Sequence, residues 1–373
     1  MSHLVSVTEI QAAAARLDGV ALRTPLVPFA GVHPVLANPV PAHHVPAHPV
    51  LLVKAESLQP TGAFKLRGAY SAISALPPGQ RIRGVVAHSS GNHAYAVAYA
   101  AALLGVSATV VVPSNAPPVK VDAARACGAR IVVSEPGLAA RTAAVDELIS
   151  AHGYTPIPPF EHRDVIAGQG TVGLEIAADC PDVDLVVCPV GGGGLIAGVA
   201  AAVTAAKPAA LVVGVEPELA ADAADSLRQG RRVAWPTEQT ERTIADALRV
   251  DQVGELPMLH LRSQVHDIIT VTDDEIRQAM RLLATGARLV AEPGGAVAVA
   301  ACLFRAGELP RASRRVAILS GGNVDPRLLA DVLRSDLPVS GAVGDGRTGV
   351  GRTGVGRTGV GRTGVGRGDG ASG

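Results

Sequence analysis

The chain has 373 residues, 48% hydrophobic and 18% charged, enough to bury the cores of two lobes of ordinary size rather than one. Its 33 lysines and arginines balance 33 aspartates and glutamates, and aromatic residues make up only 2%, which argues against the basic, aromatic-rich surface that nucleic acid requires. No apolar run reaches the ~18 residues that span a bilayer, because glycine, proline or charge interrupts each, so the chain is not expected in a membrane.

The N-terminal stretch "MSHLVSVTEIQAAAARL" has the spacing of an amphipathic helix and lacks the apolar centre of a signal peptide. The expected location is the cytoplasm, where Cys127, Cys180, Cys188 and Cys302, without CxxC spacing, stay reduced. Residues 31–50, "GVHPVLANPVPAHHVPAHPV", carry five prolines and four histidines and read as an inserted surface loop. Its His33, His43, His44 and His48 are expected to be solvated rather than metal-bound. Next comes "KAESLQPTGAFKLRGAY", residues 54–70, with Lys65 between Phe64 and Leu66. The following "RGAYSAISAL" has helical apolar spacing, so the Lys65 ammonium stands at the mouth of a buried helix, where a lysine is paired or reactive.

From there the chain alternates. "RGVVAHSS", "ATVVVPS", "ARIVVSE", "DLVVCPVGG", "ALVVGVEPE", "DIITVTDDE" and "RRVAILSGG" are short β-branched runs that end in polar or glycine-containing turns. Helical stretches such as "NHAYAVAYAAALLG" and "LIAGVAAAVTAAK" lie between them. This is the pattern of an α/β protein with mostly parallel twisted sheets flanked by helices, one sheet in each of two lobes, and with function at the C-terminal ends of the strands. After Gly346 the repeated "GRTGV" tail has too little apolar area to repay ordering and reads as disordered.

Three of the turns suggest chemistry. "CPVGGGGLIAG" sets Gly191, Gly192, Gly193 and Gly194 between a strand and a helix, where backbone N–H groups cradle an anion. It has neither the Lys-Ser/Thr of a Walker loop nor the spacing of a dinucleotide fingerprint. "HSSGNHA", residues 88–94, offers hydroxyls, an amide and backbone donors to a carboxylate and to a ring hydroxyl. "ILSGGNVD" ends a late strand with Ser320, a neutral hydroxyl suited to a pyridine nitrogen. A buried lysine plus a phosphate cradle points to pyridoxal 5'-phosphate held as a Schiff base.

In this order, "TGAFKLRGA", "SSGNHA", "VIAGQGTVGLE", "PVGGGGLIAG" and "SGGNVD" resemble the serine/threonine dehydratase and serine racemase branch of the fold-type-II, tryptophan-synthase-β-like pyridoxal phosphate enzymes, over about residues 5–335. The resemblance implies Lys65 as the Schiff-base lysine and α-proton base, Phe64 against the ring, and Asn92 on the ring's 3-hydroxyl. It also implies Gly191 to Leu195 on the phosphate and Ser320 at the pyridine nitrogen. Around the substrate carboxylate it places Ser89, Ser90, Gly91 and His93, with Ser90 matching the second base of the racemases. A divalent cation (Mg²⁺, Ca²⁺ or Mn²⁺) is expected on Glu216, the Ala220 carbonyl and Asp222, whose hard oxygens suit such ions.

The implied layout is a cofactor-binding domain of residues 1–82 plus 158–335, a small substrate-loop domain of residues 83–157, and the tail 336–373. The expected activity is deamination of L-threonine or L-serine by a homodimer. Serine racemase and 3-hydroxyaspartate dehydratase are alternatives on the same scaffold, and the intact Lys65 argues against a non-catalytic member. Ala63 stands where many relatives carry serine, and Ala247 where a glycine commonly meets the ring. The long loop at 31–50 exceeds the family norm, and nothing after Ser335 resembles a regulatory domain.

Overall fold

A computed structural model describes residues 4–29, 50–89, 91–114, 118–135 and 137–335, all within one unit, Met1–Val339. The histidine-rich loop up to residue 49, Ser90 and the repeat tail lie outside the described residues. Among the described residues ten strands form two sheets. The first has the order β1 (Leu26–Phe29), β2 (Val50–Ala55), β10 (Arg314–Leu319), β7 (Leu185–Pro189), β8 (Leu211–Pro217) and β9 (Asp267–Val271), all parallel except the edge pair β1–β2. The second has the order β5 (Arg130–Ser134), β4 (Ala108–Pro113), β3 (Val85–His88) and β6 (Thr155–Pro156), parallel throughout.

The seven β-branched runs fold as β3, β4, β5, β7, β8, β9 and β10. Except in the edge strand β5, which is largely exposed, their composition follows from burial on both faces, since successive side chains enter opposite layers. Leu185, Val187, Ala317 and Leu319 pack on the helix Pro293–Phe304, while Val186, Cys188, Val316 and Ile318 pack on the helix Gly194–Ala206. The smaller sheet buries Val85, Ala87, Val110 and Val112 with the helices Lys65–Ala75 and Asn92–Leu103. The N-terminal helix Val7–Leu17 begins with a capping box between Ser6 and Glu9, which satisfies two otherwise orphaned N–H groups. Among the described residues no helix is long and apolar enough to cross a membrane.

Two features that position the site are absent from the sequence reading. The helix Arg163–Asp179 crosses the helix Lys65–Ala75 so closely that a Cβ at Gly168 would lie 2.4 Å from the Arg67 carbonyl, so only glycine allows the approach. Beside that crossing sits a buried charge cluster. Arg67 donates to Glu56 from Nε and Nη2, both at 2.8 Å, and to Glu175 from Nη1 at 2.6 Å and Nη2 at 2.9 Å. Lys54 Nζ donates to Glu175 at 2.5 Å and to the Thr24 carbonyl at 2.6 Å. Two cations face two carboxylates, so the cluster is neutral as a whole.

Candidate active site

The strand ends bring three sequence-distant loops together. The backbone of residues 62–64 pairs with the turn after β10: Ala63 bridges Gly321, Phe64 N–H donates to the Ser320 carbonyl at 3.0 Å, and Gly322 N–H donates to the Gly62 carbonyl at 2.9 Å. This pairing sets buried Ser320 beside Phe64, the residue before the Lys65 helix. Gly62 makes the turn possible, with φ of 69° in the left-handed region.

Lys65 is the first residue of its helix. Its partly buried side chain donates from Nζ to the Pro159 carbonyl at 2.8 Å and lies 5.1 Å from the centre of the Phe64 ring. Burial lowers the ammonium's pKa to about 8, against an upward pull from the Glu292 carboxylate. A lysine so tuned supplies free amine near neutral pH, as a nucleophile or general base requires.

Asn92 opens the helix Asn92–Leu103 and is buried with its amide fixed at both ends. Its Nδ2 donates to Glu292 Oε1, and its Oδ1 accepts from Asn323 Nδ2 at 2.8 Å. Asn323 Nδ2 also reaches the Thr61 carbonyl at 2.8 Å, tying the late turn to the lysine loop. Glu292 and Asn323 were not singled out from the sequence. Glu292 precedes the Pro293 that opens a helix, a helix-start signal that carries no hint of its partner 200 residues away.

The glycine loop is built for a group that needs backbone. Gly193 has φ of 86°, and a Cβ on Gly192 would lie 2.1 Å from the Phe160 ring, one on Gly193 2.7 Å from Pro257. The first N–H groups of the helix Gly194–Ala206, those of Gly194 and Leu195 among them, have no acceptor within the helix and point at an anion's place. Glycine cradle, tuned lysine and adjacent Phe64 ring together fit a phosphorylated aromatic aldehyde. Phe160, which covers Gly192 and Gly194, was missed in the sequence.

On the substrate side, Ser89 follows β3 and its Oγ accepts from Gly91 N–H at 3.2 Å; Ser90 lies outside the described residues. His93 is buried, with Nε2 2.8 Å from the Ile157 carbonyl. Arg141, also unflagged by the sequence, is half-buried. Burial lowers its pKa against Asp251 and Glu241, and its charge in turn helps depress that of His88 at the end of β3.

Glu216, at the end of β8, is fully buried and accepts from Ala223 N–H at 3.1 Å and Ala224 N–H at 2.7 Å, capping the helix Asp222–Gln229. Asp222 Oδ2 accepts from Val253 N–H at 2.6 Å, and its buried Oδ1 has no hydrogen-bond partner among the described residues. Burial, followed for Glu216 by the Asp222 charge, holds both carboxyls above the usual range, Asp222 at about 7. Ala220 is buried between them in sequence, its N–H on the Pro217 carbonyl at 2.9 Å. Val253 and Gly254 join this pair to the glycine loop, since Gly254 N–H donates to the Gly192 carbonyl at 3.2 Å.

Comparison with known proteins agrees with this geometry. The family model for pyridoxal-phosphate dependent enzymes matches residues 22–321. The L-threonine ammonia-lyase of Thermotoga maritima is 40% identical over 294 residues, 78% of this chain and 71% of that protein. The L-threo-3-hydroxyaspartate ammonia-lyase of Saccharomyces cerevisiae is 41% identical over 281 residues, 75% of this chain and 85% of that protein. The structure of maize serine racemase superposes with a TM-score of 0.81 at 35% identity, covering 88% of this chain and 97% of that one. With 300 matched residues, the chain belongs to the pyridoxal-phosphate dependent enzymes.

Proposed function

We propose that the protein is an ammonia-lyase that converts L-threonine, L-serine or both to 2-oxobutanoate or pyruvate and ammonia. The observation that carries this reading is the Lys65 amine, tuned to about 8 and held on the Pro159 carbonyl. Bound pyridoxal phosphate supplies an electron-accepting ring that takes the amino acid through its amino group. Lys65 would anchor the cofactor, and its amine would serve as the base for the α-proton. The β-hydroxyl leaves as water, and water returns when the product is hydrolysed to the 2-oxo acid. Asn92 would hold the ring hydroxyl, Ser320 the ring nitrogen, and Gly191 to Leu195 the phosphate. Ser89, Ser90, Gly91 and His93 take the substrate carboxylate. In a racemase, Ser90 would be the second acid–base group.

Arg141 favours a second reading, 3-hydroxyaspartate as substrate, because a half-buried guanidinium acting on the end of β3 suits a second carboxylate. Release of 2-oxo acid from threonine, serine and threo-3-hydroxyaspartate, measured side by side, tests both readings. No release from any of them rules out the lyase assignment. If hydroxyaspartate is a substrate, Arg141→Ala lowers its kcat/KM by about 10- to 100-fold, the scale of one charged hydrogen bond, and leaves threonine nearly unchanged. Equal losses on both substrates remove Arg141 from specificity.

The remaining proposals concern the surroundings of the site. Residues 1–82 plus 158–335 act as the cofactor domain and residues 83–157 as the substrate-loop domain, a division that the two sheets support. A cytoplasmic location accords with four cysteines present as free thiols, and the working form is taken as a homodimer. Glu216, the Ala220 carbonyl and Asp222 bind Mg²⁺, Ca²⁺ or Mn²⁺, a reading supported by two adjacent buried carboxylates and by Asp222 Oδ1, unpartnered among the described residues. The ion braces the segment at Val253 that touches the glycine loop. EDTA should therefore lower the melting temperature and the rate together, and Mg²⁺ at about 100 times its dissociation constant should restore ~2.7 kcal/mol. An unchanged melting temperature and rate, with no metal in the purified protein, would leave the pair as a helix cap.

A further inference from the structure

The segment "IPPF", residues 157–160, touches three parts of the site that are distant in sequence. The Ile157 carbonyl meets His93 Nε2 at 2.8 Å, the Pro159 carbonyl accepts from Lys65 Nζ at 2.8 Å, and Phe160 packs on Gly192 and Gly194. A carbonyl only accepts, so Nε2 carries the proton of His93. Burial, then the Lys65 charge, push the ring's pKa down to about 3, so it stays neutral and Nδ1 keeps a bare lone pair. That Nδ1 is buried and has no hydrogen-bond partner among the described residues. The charged or titratable groups bearing on the ring are Lys65, from the helix Lys65–Ala75, and His88, from β3. Glu292, at the N-cap of the helix Pro293–Phe304, bears on Lys65 itself. Between the two carbonyls stand Pro158 and Pro159, whose rings fix φ, so a hold on Ile157 is carried stiffly to Pro159.

We infer that His93 is a positioning residue whose Nε2–H holds Ile157 and so fixes the Pro159 carbonyl that orients the Lys65 amine. The inference deepens the proposed function and rests on its reading of Lys65 as the proton-transferring group. It divides the work of His93: the imidazole is committed to the tie, and the backbone N–H in the first turn of the helix Asn92–Leu103 is left for a substrate carboxylate.

His93→Leu removes the donor, and His93→Gln keeps an N–H at comparable reach. In the full-length chain freed of cofactor, labelling of Lys65 by trinitrobenzenesulfonate is followed against pH by mass spectrometry of its peptide. Cutting the tie admits water around the ammonium, and because burial is the larger influence there, the labelling midpoint of His93→Leu rises above about 8 while that of His93→Gln does not. In the loaded enzyme, His93→Leu lowers kcat for 2-oxo acid release by about 10- to 100-fold with KM within about twofold, and His93→Gln recovers most of the loss. A His93→Leu midpoint equal to the parent's overturns the tie, as does a His93→Gln variant no better than His93→Leu.

Should His93→Leu not fold, nitrogen-15 NMR of the unaltered chain decides. The ring must stay protonated on Nε2 alone across about pH 5–8, and a ring protonated on Nδ1 or titrating in that range overturns the tie. If no hydroxy amino acid is turned over, the lyase reading fails, while the labelling midpoint and the tautomer still judge the tie.

Discussion

Lys65→Ala is expected to abolish 2-oxo acid release while the chain stays folded. Loss of a general base alone costs ~100- to 10,000-fold in rate, and here the covalent anchor of the cofactor goes with it. Stability should move little, or upward, in the cofactor-free chain. The folded pKa of Lys65, about 8, lies below that of a free lysine, so the folded state binds fewer protons between the two values, and stability rises as pH climbs through that window. Below about pH 8 the buried ammonium is a cost that alanine removes. Turnover and thermal unfolding measured on one preparation separate the two roles of the residue. A lysine that only fills the core predicts the reverse outcome: lost stability and retained rate.

Arg67→Met should produce the largest loss of stability, about 3–5 kcal/mol, because it leaves Glu56 and Glu175 buried with Lys54 as their one cation in the cluster. At roughly 2–4 °C per kcal/mol this is a clear fall in melting temperature. The double variant Arg67→Met with Glu56→Gln restores charge balance and should melt above the single one, which a purely steric role for Arg67 does not predict. Burial alone would raise the pKa of Glu56, but the charge of Arg67 and its hydrogen bonds, with the charge of Lys54, hold it below the ordinary range. Its contribution is therefore complete above about pH 4–5 and lost as the pH falls below it. In the double variant that part of the acid sensitivity should disappear.

The strands most legible in the sequence are those buried on both faces, because burial forces a run of β-branched residues that nothing else in the chain imitates. The loops that close β3, β7 and β10 were legible for a related reason, since glycines and hydroxyls cluster where backbone must meet a ligand. β2 was not read as a strand. Its Lys54 looks like a surface charge, and it is the carboxylate of Glu175, 121 residues on, that lets it be buried. The helix Arg163–Asp179 holds Gly168, Gly170 and Gly173, each unfavourable locally and demanded by a neighbouring helix or side chain. Pro159, Glu292 and Asn323 escaped notice because their meaning lies in partners 94, 200 and 231 residues away, and short-range spacing carries no record of those meetings.

The strand order has a consequence for synthesis. β10, the last strand, is inserted between β2 and β7 in the middle of the larger sheet, and its closing turn pairs with residues 62–64. Until Leu319 has left the ribosome, β2 and β7 lack the strand that joins them, and residues 62–64 lack the turn they pair with. A chain cut short before that point holds nearly every catalytic residue but not the closing turn of the pocket, with two sticky edges exposed. Cofactor capture is thereby a late event of biogenesis and a readout that the whole first sheet has closed.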